Sequence, residues 1–276
     1  MHKAPSVTYT MHVPGSNLAF SATCFAGRDW SLAPLQWPKD IAANRPLANR
    51  IASALRSIGA ACAFAPNPTG FNAQIVRQGD LERILMLGER LYMRRDQARP
   101  ADGTFLLLRE QAGIFSAGGC GVIVVSNGYD IVFAHAGRES LLDRTRVETH
   151  GKKENRHTDV VENAIKAIGG NPKDLHVYPL FFIKPEAFYH GRDDKKHAKY
   201  NRAAMEYLPK KYGVYAGKVD DNGIYIDLAN IARAQAMQCG VPGEHVHMDN
   251  RHMPEDLPHT RNGDGKGRYL VAIVRK

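Results

Sequence analysis

One short segment constrains the fold of this chain more than any other. Residues 118–137 read GGCGVIVVSNGYDIVFAHAG, with an apolar run on each side of the pair Asn127-Gly128. An Asn-Gly pair between two β-branched runs is typical of a two-residue type I′ turn, because both central positions of that turn need a positive φ. The segment is therefore predicted to be an antiparallel hairpin that joins Gly121 to Ser126 with Tyr129 to Ala134.

The predicted turn also fixes a register between the two strands. Ser126 and Tyr129 flank the turn and face each other, and counting outward from them places Cys120 opposite His135. Opposed residues point to one face of a sheet with Cβ atoms roughly 4.5 to 5.5 Å apart, which brings a thiol within hydrogen-bonding reach of an imidazole. A bulge at the glycines beside Cys120 would break this pairing. The prediction is a cysteine and a histidine side by side on neighbouring strands.

The rest of the chain mixes helical and strand patterns without a regular βαβ repeat. Helices are predicted at Pro46–Ile58, Leu81–Arg95, Thr158–Ile168 and Leu228–Cys239, the last capped by Asp227, and strands at Thr104–Arg109, His176–Ile183, Gly223–Ile226, His245–Met248 and Arg268–Val274. The segment from Tyr189 to Tyr212 is charged and gives no clear pattern. We expect one catalytic domain over residues 1–276, of class α+β, with a mixed, largely antiparallel β-sheet core and helices packed outside.

Composition excludes several classes of protein. No apolar run reaches the roughly 18 to 20 residues of a membrane helix, and the first residues lack the order of a secretory signal. The four cysteines are widely scattered, which fits a reducing compartment better than a disulfide framework. The net charge of +9 is assigned to solvated surface loops, and no nucleic-acid motif accompanies it. A cytoplasmic protein is predicted, or one delivered into a host cell without a cleaved signal, with neither membrane nor nucleic acid as partner.

Four segments together resemble the YfiH-type laccase-domain family, the polyphenol oxidase-like proteins. They are the strand pair that ends in His135-Ala136-Gly137, and the stretches VENAIKAIGGNPKDLHVYPL, YIDLANIARAQAMQCGV and HTRNGDGKGRYLVAIV. Several members of that family process purine nucleosides at a zinc site. The resemblance implies that Arg261 lies near the substrate and that Arg268 precedes the last strand. Either arginine is a candidate for binding an anion, although a surface ion pair explains each equally well.

The active-site positions depart from that family. Its members supply three metal ligands: a histidine in a Gln-Val-His-Gly stretch, a cysteine after an aspartate, and the histidine of HAGWRG. Here Gln78 stands in the place of the first histidine, Gly119 precedes Cys120, and HAGRES replaces HAGWRG. An amide is a poor substitute for an imidazole at zinc. His150, His157 or His259 would have to fold in to replace the missing ligand.

The same strand pair resembles a second group, the cysteine hydrolases that include the cytotoxic necrotizing factor catalytic domain and the chemotaxis receptor deamidases. Those proteins carry a Ser-Gly-Cys stretch, then a hairpin, and a histidine about fifteen to seventeen residues further on. The stretch SAGGC followed by His135 matches that spacing. This resemblance implies a metal-free Cys/His dyad and leaves open a role as a toxin or effector.

These observations lead to one leading hypothesis and two alternatives. In the first, Cys120 is the nucleophile and His135 its base, backbone N–H groups of Cys120 and Gly121 stabilise an oxyanion, and Ser116 orients the histidine. The protein would be a hydrolase without a cofactor, a protein glutamine deamidase that releases ammonia through a thioester. The second is a divergent zinc enzyme acting on purine nucleosides by phosphorolysis or deamination, with Cys120 and His135 as ligands. The third is an inactive relative that binds a partner through its basic face.

Overall fold

Helix, sheet, sheet and helix form four stacked layers in this chain. The computed structural model describes residues 6–26, 30–35, 38–68, 72–88, 91–95, 100–253 and 268–276. Its strands are β1 (Ser6–His12), β2 (Ala19–Phe25), β3 (Cys62–Ala65), β4 (Ile75–Val76), β5 (Arg83–Gly88), β6 (Leu91–Arg95), β7 (Gly103–Leu106), β8 (Gln111–Ala117), β9 (Gly121–Ser126), β10 (Ile131–Ala136), β11 (His176–Leu180), β12 (Tyr189–Gly191), β13 (Gly217–Asp220), β14 (Gly223–Ile226) and β15 (Tyr269–Arg275). Its helices are α1 (Pro38–Ala43), α2 (Arg45–Ser57), α3 (Arg138–Leu141), α4 (Arg144–Glu148), α5 (Val160–Ile168), α6 (Ala198–Tyr212) and α7 (Leu228–Gln238).

The strands form two large sheets and one small one. The first sheet has the order β1-β2-β15-β8-β3-β6-β5, the second β11-β9-β10-β7-β4, and the third β12-β14-β13. Three of the described strand pairs are parallel: β3 with β6, β3 with β8, and β4 with β7. The remaining described pairs are antiparallel. The predicted class, α+β with a mixed and largely antiparallel sheet core and helices outside, is confirmed.

Alternating side chains divide the core into three apolar layers. Phe115 of β8 and Phe133 of β10 meet between the two large sheets, with ring centroids 5.1 Å apart. Neighbouring residues of the same strands point the other way: Ile114 packs under α2, and Ala134 packs under the layer that holds α5, α6 and α7. Each large sheet therefore has one face toward the other sheet and one face toward helices.

Three predicted helices are confirmed, with local reasons in the sequence. In α2 the buried residues Ala48, Ile51, Ala52 and Leu55 form one face against the first sheet. The carboxylate of Asp159 accepts the backbone N–H of Glu162 at the start of α5, and that of Asp227 accepts the N–H of Asn230 in α7. Each acid satisfies an N–H group that has no partner within its helix.

Two element predictions are wrong. Residues 81–95 form the antiparallel strands β5 and β6 instead of a helix. Leu85 and Leu87 are buried while Ile84 and Met86 are 55% exposed, so the burial has the period of two that defines a strand. Residues 245–248 form no strand either: a short 3-10 helix covers Gly243–His245, and an isolated bridge follows at Val246.

The central hairpin forms with a different turn from the one predicted. Ser126 pairs with Ile131, so the loop holds four residues. Gly128 has a φ of 86°, whereas the φ of Asn127 is not positive. The side-chain oxygen of Asn127 accepts the backbone N–H groups of Tyr129 and Asp130. The type I′ turn is absent because that geometry needs positive φ at both positions. The predicted register is wrong by two residues, and His135 faces Val122.

Candidate active site

Cys120 and His135 meet although they are not directly opposed. A shift of two residues leaves every side chain on its original face, so the two residues become diagonal neighbours on the same side of the sheet. Continuing the observed register past the strand ends places Gly137 opposite Cys120. A Cβ atom at Gly137 would lie 3.0 Å from both Cys120 Sγ and His135 Nε2. Because Gly137 has no side chain, the thiol and the imidazole have room to form their hydrogen bond.

Asp102 completes a chain of three functional groups. It lies just before β7, fully buried, and its Oδ1 is 3.0 Å from His135 Nδ1. Oδ1 also accepts the hydroxyl of Ser140 at 2.8 Å, and Oδ2 accepts the backbone N–H of Ala73 at 2.6 Å. The carbonyl of Asp102 accepts the backbone N–H of His135 at 2.7 Å. Asp102 therefore holds the histidine by side chain and main chain together, which fixes the ring orientation.

Sequence reasoning missed Asp102 and Ser140. The available signal was an aspartate two residues before Thr104, at the start of the predicted strand. Nothing in the sequence gave the pairing of that strand with β10, and this pairing brings Asp102 level with His135. Ser140 lies on α3, five residues after the histidine, where its Oγ is also 3.2 Å from His135 Nδ1. Because α3 begins almost directly after β10, its single turn places the Ser140 hydroxyl beside the end of that strand.

The electrostatics of the site favour a charged pair. Burial disfavours the imidazolium, but the charge of Cys120 and the hydrogen bonds from Asp102 and Cys120 outweigh it and raise the pKa of His135 to about 10. Burial likewise disfavours the thiolate, yet the charge and hydrogen bond of His135, with a further contribution from Arg268, lower the pKa of Cys120. Each group shifts the pKa of the other in the direction that gives thiolate and imidazolium.

The backbone around Cys120 is held in place from the neighbouring sheet. The hydroxyl of Tyr269, in β15, donates to the carbonyl of Cys120 at 2.7 Å. Because the N–H of His135 points to β7, the alternation of the ladder turns the N–H of Gly121 toward Ala136 of β10. The N–H of Gly121 is thus directed into the sheet, and the N–H of Cys120 is the better placed of the two predicted oxyanion donors.

A cavity of about 710 Å³ opens at the end of the two large sheets, with Cys120 and His135 in its lining. This volume lies in the range of small-molecule sites and is large enough for a single extended side chain. His135 is only 4% exposed, whereas Cys120 is half-buried. The cavity therefore reaches the sulfur while the histidine stays behind it.

The other predicted site residues have different positions. Ser116 lines the cavity but contacts neither ring nitrogen of His135; its Oγ has no hydrogen-bond partner, and its predicted orienting role falls to Asp102 and Ser140. Arg268 is exposed at the cavity and close enough to affect the thiol, as an anion-binding role requires. Arg261 lies outside the described residues. Cys24 and Cys62 are buried in the core, as packing residues should be.

The metal-binding side chains that the structure describes do not fit zinc. Cys120 and His135 offer two ligands, but no cluster of three or more metal-binding side chains occurs in the described part of the chain. Gln78 donates to the carbonyl of Phe105 and to Gln111, so it points away from the dyad. His150 packs against Tyr207 and His157 contacts Glu154, while His259 lies outside the described residues. A catalytic zinc needs three protein ligands, so we derive no chemistry through a metal.

Solved structures share this fold over nearly the whole chain. YlmD from Geobacillus stearothermophilus matches 98% of the chain and 92% of its own, at 15% identity and a TM-score of 0.57. The hypothetical protein YfiH from Bacillus licheniformis matches 96% and 98%, at 13% identity and a TM-score of 0.57. A Neisseria meningitidis protein of the DUF152 family matches 98% of both chains, at 16% identity and a TM-score of 0.60.

The chain has the YfiH fold. No protein-family model matches the sequence, and no curated protein matches it either. At identities of 13 to 16% the likeness establishes the fold alone. The expected resemblance to YfiH-type proteins is thus confirmed in architecture, and the resemblance to the deamidases stays a prediction. Among the described residues no helix combines the length and apolar character needed to cross a bilayer.

Proposed function

We propose that this YfiH-fold protein is a metal-independent hydrolase in which Cys120, His135 and Asp102 act as a catalytic triad. The observation that carries the proposal is the contact beside Gly137, where Cys120 Sγ and His135 Nε2 would each lie 3.0 Å from a Cβ atom added to the glycine. On the other side of the imidazole, His135 Nδ1 lies 3.0 Å from Asp102 Oδ1. A nucleophile, a base and a group that orients the base are the three parts of this class of site.

The reaction follows from the charge state of the pair. The Cys120 thiolate attacks the carbonyl carbon of a carboxamide, and the tetrahedral oxyanion forms near the N–H of Cys120. His135 transfers its proton to the leaving nitrogen, so ammonia departs and a thioester remains. The neutral His135 then removes a proton from water, and the resulting hydroxide attacks the thioester. The product leaves as a carboxylic acid while the thiolate and imidazolium reform, and in solution it gives its proton to the released ammonia.

A glutamine side chain of a protein is the substrate we favour. The cavity is open to solvent and large enough for one extended side chain, and Cys120 belongs to its lining. A primary amide is small, so its carbonyl can approach a half-buried Cys120. A purine nucleoside enzyme would need the zinc site whose donor set is incomplete among the described residues.

The test is ammonia release by the purified protein from glutamine-containing peptides, with the variant Cys120→Ser as comparison. Loss of ammonia release with an unchanged circular dichroism spectrum supports the proposal, and full activity of Cys120→Ser refutes it. The matched control is Cys24→Ser, in which a buried cysteine away from the cavity is changed. This control should keep its activity for as long as it stays folded.

Metal content separates the proposal from the zinc alternative. Stoichiometric zinc that is lost when Cys120 or His135 is replaced would contradict a metal-independent mechanism. A metal-free protein whose Cys120 is alkylated well below pH 8 supports the thiolate. A metal-free protein with an unreactive Cys120 contradicts the proposal and favours an inactive binding protein.

A further inference from the structure

Arg95 is a buried cation in the lining of the active-site cavity, and it has no counterion among the described residues. It is 5% exposed, it lies at the end of β6, and one nitrogen of its guanidinium donates to the carbonyl of Leu32 at 2.6 Å. Its Nε has no hydrogen-bond partner, and among the described residues no carboxylate lies within ion-pairing distance. A buried charge without a partner destabilises the folded state. Such a residue calls for an anion that binds from the cavity.

Two further groups lie on the same face of the sheet as Arg95. Ser116 and Arg268 line the same cavity, and the alternation of their strands directs them toward the α2 side. The residues two and four positions away from each of the three along its strand are buried against the α2 layer, which shows that they share one face. These residues are Leu91 and Met93 in β6, Ala112 and Ile114 in β8, and Leu270 and Ala272 in β15. The Oγ of Ser116 is buried and unpartnered. Unsatisfied polar atoms in one cavity indicate a ligand that satisfies them.

Two other cations in the cavity lining have carboxylate partners. Arg138 bonds to Glu139 at 2.8 Å, and Arg144 bonds to Glu148 at 2.7 Å. Arg268 makes no ion pair with a carboxylate among the described residues, and it is exposed at the mouth of the cavity. The uncompensated positive charge of the cavity therefore lies on the face that carries Arg95.

We propose that Arg95 is the centre of an anion-binding subsite, with Ser116 as a hydroxyl donor and Arg268 at its entrance. Resting on the function proposed above, this subsite makes the substrate an amide that carries a separate oxyanionic group, either a carboxylate or a phosphate. Because β3 lies between β6 and β8, the backbone of Arg95 stands two strand spacings, about 10 Å, from β8, the strand that leads to Cys120. The anionic group and the amide are thus on different parts of the substrate.

The test measures anion binding directly and needs no turnover. The melting temperature of the native protein is followed against inorganic phosphate in one series and acetate in another, with sodium chloride keeping the ionic strength constant. We expect a saturable rise, and the anion that acts at the lower concentration identifies the phosphate or the carboxylate as the preferred group. In Arg95→Met the apparent affinity should fall about tenfold or more, because a charge-assisted hydrogen bond is lost.

Arg94→Met is the matched control, since Arg94 is the neighbouring residue of β6 and points to the opposite face. It should keep the anion-dependent rise. An unchanged rise in Arg95→Met, or no saturable rise in the native protein, overturns the proposal. If Arg95 only supports Leu32, Arg95→Met melts lower in every buffer and responds to anions as before, which also overturns it.

A measurement on the unaltered chain covers the case in which Arg95→Met fails to fold. Phosphate or acetate bound in the cavity should slow alkylation of Cys120 by iodoacetamide at the same concentrations that raise the melting temperature. Absence of protection overturns the subsite. Failure of the hydrolase proposal would instead appear as absent ammonia release with anion binding intact, so the two outcomes are distinguishable.

Discussion

The substitution Gly137→Ala tests the contact on which the site depends. Gly137 has φ of −78° and ψ of 171°, which alanine adopts without strain, so the backbone tolerates the change. The new Cβ would lie 2.8 Å from His135 Cε1 and 3.0 Å from Cys120 Sγ, against 3.4 Å where ordinary contact begins. Imidazole and sulfur must therefore separate by several tenths of an ångström each, in opposite directions.

The size of the effect follows from the bond that is lost. A hydrogen bond to a charged group contributes about 1.5 to 3 kcal/mol, and each 1.36 kcal/mol is a factor of ten in the thiolate population. We expect the rate of Cys120 alkylation by iodoacetamide at pH 7 to fall by about tenfold to a hundredfold in Gly137→Ala. Ammonia release should fall by at least the same factor.

Gly79→Ala is the matched control, because a Cβ at Gly79 meets nothing within 4 Å. Its alkylation rate should equal that of the native protein. Circular dichroism and thermal unfolding show whether Gly137→Ala keeps the native fold. A folded Gly137→Ala protein with the native alkylation rate would refute the reasoning, since the thiolate would then not depend on His135.

Three further predictions concern His135 and the two side chains, Asp102 and Ser140, that contact its imidazole. Asp102→Asn should lower the rate of ammonia release by at least about a hundredfold with little change in KM, because the wrong imidazole tautomer is then favoured; steady-state kinetics would contradict this if only KM rose. Ser140→Ala should cost about 0.5 to 1.5 kcal/mol of unfolding free energy, measured by urea titration, since Asp102 loses one of its hydrogen bonds; no loss of stability would exclude a supporting role. Because the pKa of His135 is raised to about 10 from an ordinary 6.5, its stabilisation should be complete below pH 6.5 and lost as the pH rises through 10. Urea titrations of native protein and His135→Gln across this range should converge at high pH, and a constant difference between them would contradict the charged pair.

The face shared by Cys120 and His135 could be predicted from the sequence, but their register could not. A side chain changes to the other face of the sheet only when the register shifts by an odd number of residues. The observed loop is two residues longer than the predicted turn, so the register shifts by two and both side chains keep their face. Register depends on the φ of Asn127, and its side-chain hydrogen bonds to Tyr129 and Asp130 stabilise a wider loop. The dyad was therefore predicted for a partly wrong reason. The role of Gly137 became visible only with the corrected register.

The features that sequence reasoning missed depend on contacts between distant segments. Asp102 reaches His135 because β7 pairs with β10, and local pattern carries no information about that neighbour. The error at residues 81–95 has another cause. Ile84 and Met86 are apolar residues on an exposed face, so the apolar pattern lost the alternation that would have indicated a strand.

The strand β15 follows every residue of the proposed triad along the chain. This strand lies between β2 and β8, and Phe25 pairs with Leu270, so the seven-stranded sheet joins the two most distant parts of the chain. Tyr269 of the same strand fixes the carbonyl of Cys120. A partly synthesised chain that has not yet reached β15 therefore contains Cys120, His135 and Asp102 without the strand that anchors the cysteine. The backbone of the proposed nucleophile therefore gains its anchor from a strand that is synthesised after all three groups of the proposed triad.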